Sequence, residues 1–229
     1  MEGSGEALRV GFCDSAAAKY ACEHWHYSGS TPVGAVVRFG VWEDDVFIGA
    51  VLYSKGAGMA TMRAHRYGLE RTDACELARV ALNRHRAPVT QIVSKTVKQL
   101  QVVNPGLRLV ISYADPAQGH LGTIYQAGNW IYVGRSAKVK EYWIGGKWTH
   151  NRTLRAIGIT AMRNGRHPRY LEWLHQLRTR DRPGKFCYLM PLDKPTRRIL
   201  LPYGEPYPAY ADLAEQVSEA RRHPSGVEG

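Results

Sequence analysis

Side chains typical of catalytic sites cluster in the middle of the sequence. Asp115 follows an apolar run, residues 107–113, that contains Ser112 and is typical of a buried strand, and Tyr125 falls in the short helical pattern after it. Open α/β sheets bind ligands at the carboxyl ends of their strands. A carboxylate and a phenol at this position are near enough in sequence to share a ligand-binding cleft. In the alternative interpretation, Asp115 caps the helix and Tyr125 packs in the core.

A second group, His24, His26 and Tyr27, places nitrogen and oxygen donors close together. Such donors bind transition metals, and iron is compatible with them. Surface exposure or ring stacking is the more common reason for two neighbouring histidines. The spacing therefore leaves a metal site open as one interpretation of two.

Two charged residues, Glu76 and Arg79, interrupt the otherwise apolar run 75–82. A buried charge needs either a partner or a function. One explanation is an arginine that binds an anionic or carbonyl group of a substrate. The other is a structural ion pair.

The elements that must position these side chains follow an α/β order. Periodicity predicts helices over 8–27, 90–102, 119–128 and 170–177. Apolar, β-branched and aromatic runs predict strands over 36–42, 46–53, 75–82, 107–113, 130–134, 140–144, 147–149 and 185–190. This order predicts a mixed sheet with helices on its faces. We expect a core at 1–134, a region at 135–208 that completes the sheet and forms a basic extension, and a flexible tail at 209–229.

The formal net charge of +11 is concentrated in one part of the chain. Residues 135–198 contain 16 Lys and Arg against 4 Asp and Glu, whereas residues 1–134 contain 13 against 11. Such a concentration favours a polyanion, because each neutralised phosphate releases condensed counterions. Aromatic residues alternate with these cations and suit base stacking. The basic residues expected to bind substrate are Arg135, Lys138, Lys140, Arg152 and Arg155.

Two further features bound the class of protein. The four cysteines form no CxxC pair, which argues against a zinc ribbon or a disulfide framework and favours a reducing cytoplasm. No apolar run approaches the roughly 20 residues that cross a bilayer. We therefore expect a cytoplasmic protein without a membrane partner.

Several segments together resemble the Mom proteins of Mu-like phages. They are SYADPAQGHLGTIYQAGNWIYVG at 112–134, HYSG at 26–29, FGVWEDDVFIGAV at 39–51, CELARVAL at 75–82 and KFCYLMPLDKPTRR at 185–198. The similarity spans roughly residues 20–208 and implies a Gcn5-related N-acetyltransferase-like fold. It also implies a phage enzyme, acting in the bacterial host, that converts adenine in DNA to its carbamoylmethyl form. That modification protects the DNA from restriction enzymes.

The resemblance implies functional residues as well. The family's functional positions that match this sequence are His26, Tyr27, Arg79, Asp115 and Tyr125. Iron is associated with the family, so the expected iron site is the group His26, Tyr27, Asp115 and Tyr125.

The segment that precedes the helix at 90–102 departs from the wider acyltransferase pattern. Those enzymes bind the pyrophosphate of coenzyme A through a glycine-rich loop that opens a helix. Here residues 83–89 contain no glycine, and Pro88 removes an amide donor. The sequence therefore argues against acetyl-coenzyme A as the donor.

Acyl transfer from another donor accounts for the implied product. A glycyl group moved from glycyl-tRNA to the exocyclic amine of adenine gives an isomer of carbamoylmethyl-adenine, and attack of the glycyl amine on the ring carbon completes the rearrangement. In this hypothesis Asp115 takes a proton from the adenine amine, and Tyr125 protonates the departing ribose hydroxyl. Arg79 holds the carbonyl or phosphate of the donor.

The remaining site residues have binding roles in this hypothesis. His26 and Tyr27 position the adenine or bind a metal, and Trp25 or Tyr27 receives the flipped base. Ser112 and Glu76 complete the substrate site. Double-stranded DNA is the expected partner, with tRNA as a second one.

Two alternatives stay open at this point. The first is the same modification with a donor derived from acyl-coenzyme A and with iron-assisted chemistry. The second is a phage protein that binds nucleic acid without catalysis. The basic region alone would satisfy the second alternative, but it would leave the polar residues at the strand ends without a purpose.

Overall fold

The computed structural model describes residues 8–34, 36–55, 64–150, 153–154, 158 and 170–210. The chain divides into two compact units. The first unit comprises Met1–Tyr113, Gly122–Gly134 and Cys187–Tyr207, and the second comprises Ala114–Leu121, Arg135–Phe186 and Pro208–Gly229. The predicted boundaries at 134 and 208 stay a prediction, and most of the expected tail lies outside the described residues.

Strands and short helices alternate along the described residues. The strands are β1 (Leu8–Phe12), β2 (Val36–Glu43), β3 (Val46–Ser54), β4 (Ala74–Leu82), β5 (Leu109–Ala114), β6 (Ile131–Arg135), β7 (Val139–Ile144), β8 (Lys147–His150), β9 (Thr179–Arg182) and β10 (Phe186–Pro191). The helices are α1 (Ser15–Trp25), α2 (Val89–Val103), α3 (Thr123–Ala127), α4 (Tyr170–His175) and α5 (Lys194–Leu200), with 3-10 turns at Pro116–Gln118 and Leu201–Tyr203.

The larger sheet is mixed. Within the described residues, seven strands lie in the order β1-β2-β3-β4-β5-β10-β6. Strands β1 to β4 pair antiparallel, whereas β4 and β5 are parallel. The turn between β2 and β3 contains Asp44 and Asp45, both with positive φ, as a tight hairpin turn requires. The predicted mixed α/β architecture with flanking helices is confirmed.

Helix α1 covers one part of this sheet. Asp14 accepts a hydrogen bond of 2.7 Å from the backbone N–H of Ala17 and so caps the helix. The helix buries Ala18, Ala21 and Cys22 in a cluster that also contains Ala50, Leu52 and Ala81 from β3 and β4. Small side chains on both surfaces allow the helix backbone to lie close to the sheet.

The predicted helix over 8–27 is wrong at its start. Residues 8–12 form β1, which pairs with β2 from Leu8 opposite Glu43 to Phe12 opposite Phe39. Alternating side chains put Val10 in the core and leave Phe12 exposed, which suits an edge strand. Because Asp14 supplies the cap, the helix begins only at Ser15.

The second unit contains a small antiparallel sheet. Within the described residues, its three strands lie in the order β8-β7-β9. Gly145 and Gly146 both have positive φ and form the turn between β7 and β8, so the predicted pairing of 140–144 with 147–149 is confirmed. Strand β9 was not expected from its sequence, TRDR, because it has no apolar alternation.

Among the described residues, no helix is both long enough and apolar enough to cross a membrane.

Candidate active site

Ser112 and Tyr125 form a hydrogen-bonded pair inside the first unit. Ser112 Oγ lies 2.7 Å from Tyr125 Oη and 2.8 Å from the backbone carbonyl oxygen of Leu77. A carbonyl oxygen can only accept, so it takes the single hydroxyl proton of Ser112. Both contacts then form together when Tyr125 donates to Ser112 Oγ. The phenol is thereby held near the carboxyl end of β5.

Tyr125 stays a neutral phenol at physiological pH. Its side chain is buried, and its ring centroid lies 5.0 Å from that of Trp130 and 5.1 Å from that of Tyr188. Burial raises the pKa of Tyr125 to about 12, although the hydrogen bond with Ser112 acts in the opposite direction. A group that keeps its proton in this way suits the role of a general acid.

The structure brings two further predicted residues near this phenol. Burial is the main cause of the raised pKa of Tyr125, and charge repulsion from Tyr27 and Glu76 raises it further. Glu76 lies on β4 opposite Ile111 of β5, and half of the Tyr27 side chain is exposed. Glu76 and Ser112 therefore lie on neighbouring strands of the first unit, and the role of these residues in a substrate site stays a prediction.

Arg79 contacts the loop that follows α1. Its Nε donates a hydrogen bond of 3.0 Å to the carbonyl oxygen of Ser30, and its guanidinium also donates to the carbonyl of Ala78. The loop held by Arg79 is the one that carries His26 and Tyr27. An arginine in this position fixes the loop, and this contact is a role for Arg79 that the sequence did not predict.

His26 and Trp25 are held by their neighbours. The backbone N–H of Ser28 donates to Nδ1 of His26 at 3.1 Å, so neutral His26 carries its proton on Nε2. The rings of His26 and Tyr27 lie 4.3 Å apart. Trp25 packs against the cluster of small residues that α1 buries, and its ring centroid lies 5.9 Å from that of Phe47. The Trp25 ring therefore contributes to packing, which differs from the predicted role of receiving a base.

Asp115 belongs to a buried ion-pair network in the second unit. Its Oδ1 accepts a hydrogen bond of 3.1 Å from the backbone N–H of Ala117, so Asp115 caps the 3-10 turn and not the helix that contains Tyr125. Its Oδ2 pairs with Arg182 and lies 3.5 Å from Lys185 Nζ. The side chain is only 1% exposed. The carboxylate is therefore neutralised by two cations of the chain itself.

The network extends across the small sheet to Arg180. Arg182 also lies 3.1 Å from Glu141 Oε1, and Arg180 donates two hydrogen bonds of 2.9 and 2.7 Å to Glu141 Oε2. Arg180 and Arg182 share a face because alternate residues of a strand point the same way. Sequence reasoning missed Arg182, Lys185 and Glu141, although the alternation in TRDR is a signal that places both arginines together.

The residues expected to hold iron do not fit a metal site. Asp115 is already paired with two cations, and ionised Tyr125, the form that binds a metal, is disfavoured by burial. His26 Nδ1 accepts from Ser28. Within the part of the chain that the structure describes, no three His, Cys, Asp or Glu side chains are grouped as metal ligands. The chemical steps proposed for this protein therefore do not use iron.

The basic region carries cations next to aromatic rings. The Arg180 guanidinium lies 4.5 Å from the ring centroid of Trp148, which is itself 5.2 Å from that of Trp143. Arg135 lies 4.8 Å from the ring centroid of Phe186. Such pairs suit phosphate contact and base stacking. Lys138 and Lys140 are exposed, and Arg152 and Arg155 lie outside the described residues.

Two amides of the loop that precedes α2 are occupied by a carboxylate of the chain. Glu43 accepts hydrogen bonds from the backbone N–H groups of Arg86, at 3.0 and 3.1 Å, and of Ala87, at 2.8 Å. Burial alone would raise the pKa of Glu43, but these amides and the charge of Arg86 hold it below its ordinary value. Two amides of the loop that precedes α2 are therefore already bound to an anionic group of the chain.

The fold and the site together define an α/β protein with a buried phenol near a strand end and a separate basic, aromatic surface. Residues 7–209 match the Mom protein family, and the chain belongs to this family. It is similar to the methylcarbamoylase mom of Escherichia phage Mu, with 26% identity over 188 residues that cover 80% of this chain and 76% of that protein.

Solved structures with a similar arrangement come from several acyl-transferring enzymes. The N-acyl amino acid synthase FeeM from uncultured soil microbes has a TM-score of 0.47 and 9% identity, covering 86% of this chain and 95% of that one. The spermidine N-acetyltransferase from Vibrio cholerae, in complex with CoA and spermine, has a TM-score of 0.44 and 8% identity, covering 80% and 95% respectively.

Proposed function

We propose that this member of the Mom family is an enzyme that transfers a glycine-derived group to the exocyclic amine of adenine in double-stranded DNA. The product is carbamoylmethyl-adenine, in accordance with the name methylcarbamoylase that the phage Mu relative carries. The observation that carries the proposal is the buried, neutral phenol of Tyr125, held by Ser112 near the carboxyl end of β5. The concentrated positive charge of residues 135–198 supports a nucleic-acid substrate.

The first step is acyl transfer from glycyl-tRNA. The adenine amine nitrogen attacks the carbonyl carbon of the glycyl ester, a nitrogen–carbon bond forms, and the bond to the ribose oxygen breaks. The amine loses one proton and the departing ribose oxygen gains one. Tyr125 supplies the proton to the ribose oxygen and is then reprotonated through the Ser112 contact or from solvent.

Asp115 is the proposed acceptor of the amine proton. Its carboxylate is engaged by Arg182 and Lys185 in the free protein. Proton transfer to Asp115 therefore requires an oxygen to be released from these cations. A phosphate of the bound nucleic acid is a suitable competitor for Arg182, because arginine binds phosphate through the same fork of N–H donors.

The second step is an isomerisation that needs no further reactant. The glycyl amine nitrogen attacks the ring carbon that carries the amide, which forms a five-membered ring. The bond from that carbon to the original amine nitrogen then breaks, and this nitrogen leaves the ring as the carboxamide. The atoms of the first product are all retained, and the outcome is carbamoylmethyl-adenine.

Glycyl-tRNA is the donor that best fits the described residues. Glu43 binds two amides of the loop before α2, the segment in which the wider acyltransferases carry a glycine-rich pyrophosphate loop. The basic surface is large enough in charge to bind a second polyanion, since residues 135–198 carry a balance of +12. Arg79, His26 and Tyr27 are proposed to bind the donor end and the adenine.

The modification itself is tested in bacteria that express the chain. Plasmid DNA is digested to nucleosides and analysed by mass spectrometry. We expect carbamoylmethyl-deoxyadenosine from cells with the wild-type chain, and at least a tenfold decrease with Tyr125→Phe. Unmodified deoxyadenosine alone, from cells that contain folded wild-type protein, would contradict the proposal.

The rearrangement is tested separately with an isotope. DNA is prepared with a heavy nitrogen in the exocyclic amine of adenine. We expect the label in the carboxamide of the product. A label that is still attached directly to the ring would show that the glycine-derived group was added by simple alkylation.

A further inference from the structure

A pocket of about 260 Å³ lies in the first unit between α2 and the segment that starts with α3. Thr90 and Ser94 of α2 contribute hydroxyl groups, and Tyr125 and Trp130 contribute aromatic rings. Asn129 and Met190 also line the pocket. No charged side chain is found among the described residues that line it. The function proposed above uses Tyr125 but not this pocket.

We propose that this pocket binds the unpaired adenine ring of a nucleic-acid strand, an inference that rests on the proposed function. Enzymes that act on a base within DNA take it out of the stack and hold it in a close-fitting pocket between aromatic and apolar side chains. An uncharged lining suits an uncharged base and disfavours a phosphate, since a buried phosphate requires cations. The strand's phosphates are left to the basic region.

The size of the pocket indicates a single base. Sites for drug-sized ligands have volumes of about 300–1,000 Å³. The pocket, at about 260 Å³, is smaller than this range. It therefore fits one heteroaromatic ring with its hydrogen-bonding partners better than a complete coenzyme A.

Two aromatic rings of the lining are in contact, and the glycine at residue 128 leaves room for one of them. The ring centroids of Tyr125 and Trp130 lie 5.0 Å apart. At Gly128, a Cβ atom would lie 3.0 Å from Trp130 Cδ1 and 3.1 Å from its Nε1. A side chain at residue 128 would therefore push the Trp130 ring out of place. A base held between such rings gains stacking contacts that every base can make.

Asn129 supplies a means of selecting adenine. An asparagine amide both donates and accepts, and it pairs with the amine and ring nitrogen of adenine. Asn129 has a φ of 56°, a left-handed conformation that asparagine tolerates better than most residues. Cytosine and guanine present other patterns of donors and acceptors, so they would bind less well.

The pocket also connects binding to chemistry. Tyr125 forms part of its wall and at the same time makes the hydrogen bond with Ser112. A base in the pocket would therefore contact the side chain of Tyr125, the residue that is proposed to transfer a proton. Two strands offer an unpaired adenine in this reaction, namely the target DNA and the 3′ end of the donor tRNA.

Binding of adenosine to the full chain tests the pocket without any group transfer. The dissociation constants of adenosine and cytidine are measured by saturation-transfer NMR, with Ser94→Trp as the variant that fills the pocket. The matched control is Gln91→Trp, one turn away on the same exposed helix surface but outside the lining. We expect adenosine to bind wild type and the control at least tenfold more tightly than cytidine, and Ser94→Trp to lose adenosine binding tenfold or more.

Asn129→Gly provides a second variant that keeps the positive φ. It should reduce the preference for adenosine over cytidine. Equal binding of the two nucleosides to wild type, or unchanged adenosine binding by Ser94→Trp and Asn129→Gly together, would overturn the proposal.

Competition then identifies which strand supplies the base. One competitor is a DNA duplex with an extrahelical adenine, and the other is an RNA hairpin that ends in an unpaired adenosine. Displacement of adenosine by the DNA assigns the pocket to the target base, and displacement by the RNA assigns it to the donor end. Displacement by neither would contradict the inference. Adenosine binding without DNA modification would instead contradict the proposed function and leave the pocket standing.

Discussion

Arg182 joins two buried carboxylates, because one arm of its guanidinium pairs with Asp115 and the other lies 3.1 Å from Glu141. Asp115 and Glu141 are 1% and 4% exposed, respectively. Two acids so deeply buried need this cation. Without Arg182, Asp115 keeps Lys185 as a cationic partner, and Glu141 keeps Arg180.

We therefore expect Arg182→Gln to lower the free energy of unfolding by on the order of 3 kcal/mol, since removal of one partner from a buried ion pair costs about that amount. Asp115→Asn should cost less, because Arg182 then still pairs with Glu141. Urea denaturation followed by circular dichroism measures both. An Arg182→Gln variant that is no less stable than Asp115→Asn would show that the network does not depend on the arginine.

A substitution of Asp115 distinguishes an effect on catalysis from an effect on folding. Asp115→Asn should lose DNA modification by about 10²–10⁴-fold, the range for removal of a general base. It should still fold and bind DNA. Asp181→Asn, an exposed acid on β9, is the matched control and should retain activity. Full activity of Asp115→Asn would remove this residue from the proposed mechanism.

Tyr125→Phe should lose most of the modification activity and little stability. Loss of one buried hydrogen bond costs about 1 kcal/mol. Loss of a general acid decreases the rate by about 10²–10⁴-fold. Tyr53→Phe removes a similar phenol, which lies 2.7 Å from Thr96 Oγ1, and serves as the control. Equal activity losses in the two variants would indicate a structural role for Tyr125.

Alkaline pH provides a second test of Tyr125. Its pKa in the folded protein is raised to about 12, above the ordinary value of 10.0. The stabilisation by the neutral phenol is therefore complete below about pH 10 and is lost as the pH rises towards about 12. Wild type should lose stability relative to Tyr125→Phe within this window. A constant difference between the two would indicate an unshifted phenol.

Acid pH tests the carboxylate at the start of α2. The pKa of Glu43 is held below its ordinary value of 4.5, so its stabilisation is present above pH 4.5 and is lost as the pH falls through the lower value in the folded protein. Glu43→Gln should decrease the free energy of unfolding at pH 7 by about 1.5–3 kcal/mol, the range for hydrogen bonds to a charged group. The difference from wild type should shrink below pH 4.5. A difference independent of pH would mean that the charge of Glu43 is unimportant.

Local sequence patterns were sufficient for most of the larger sheet. The β-branched and aromatic runs of β2 and β3, the acidic turn between them and the buried run of β5 are typical of strands. The start of the chain was misassigned because Leu8–Phe12 becomes a strand only through pairing with β2, which is a long-range contact.

The candidate site could be predicted only where its residues are close in sequence. Ser112 and Tyr125 flank one strand–helix connection, so the pattern brought them together. The partners of Asp115 were missed because Arg182 and Lys185 follow it by about 70 residues, so their contacts with Asp115 depend on tertiary structure. The contact between Glu43 and the amides of Arg86 and Ala87 likewise depends on tertiary structure.

The most direct test of the central claim uses purified chain and defined donors. Adenine-containing DNA is incubated with either charged glycyl-tRNA or acetyl-coenzyme A, digested to nucleosides and analysed by mass spectrometry. We expect a glycyl mass on deoxyadenosine with glycyl-tRNA alone. Product with acetyl-coenzyme A alone, or no product from either donor with folded protein, would contradict it.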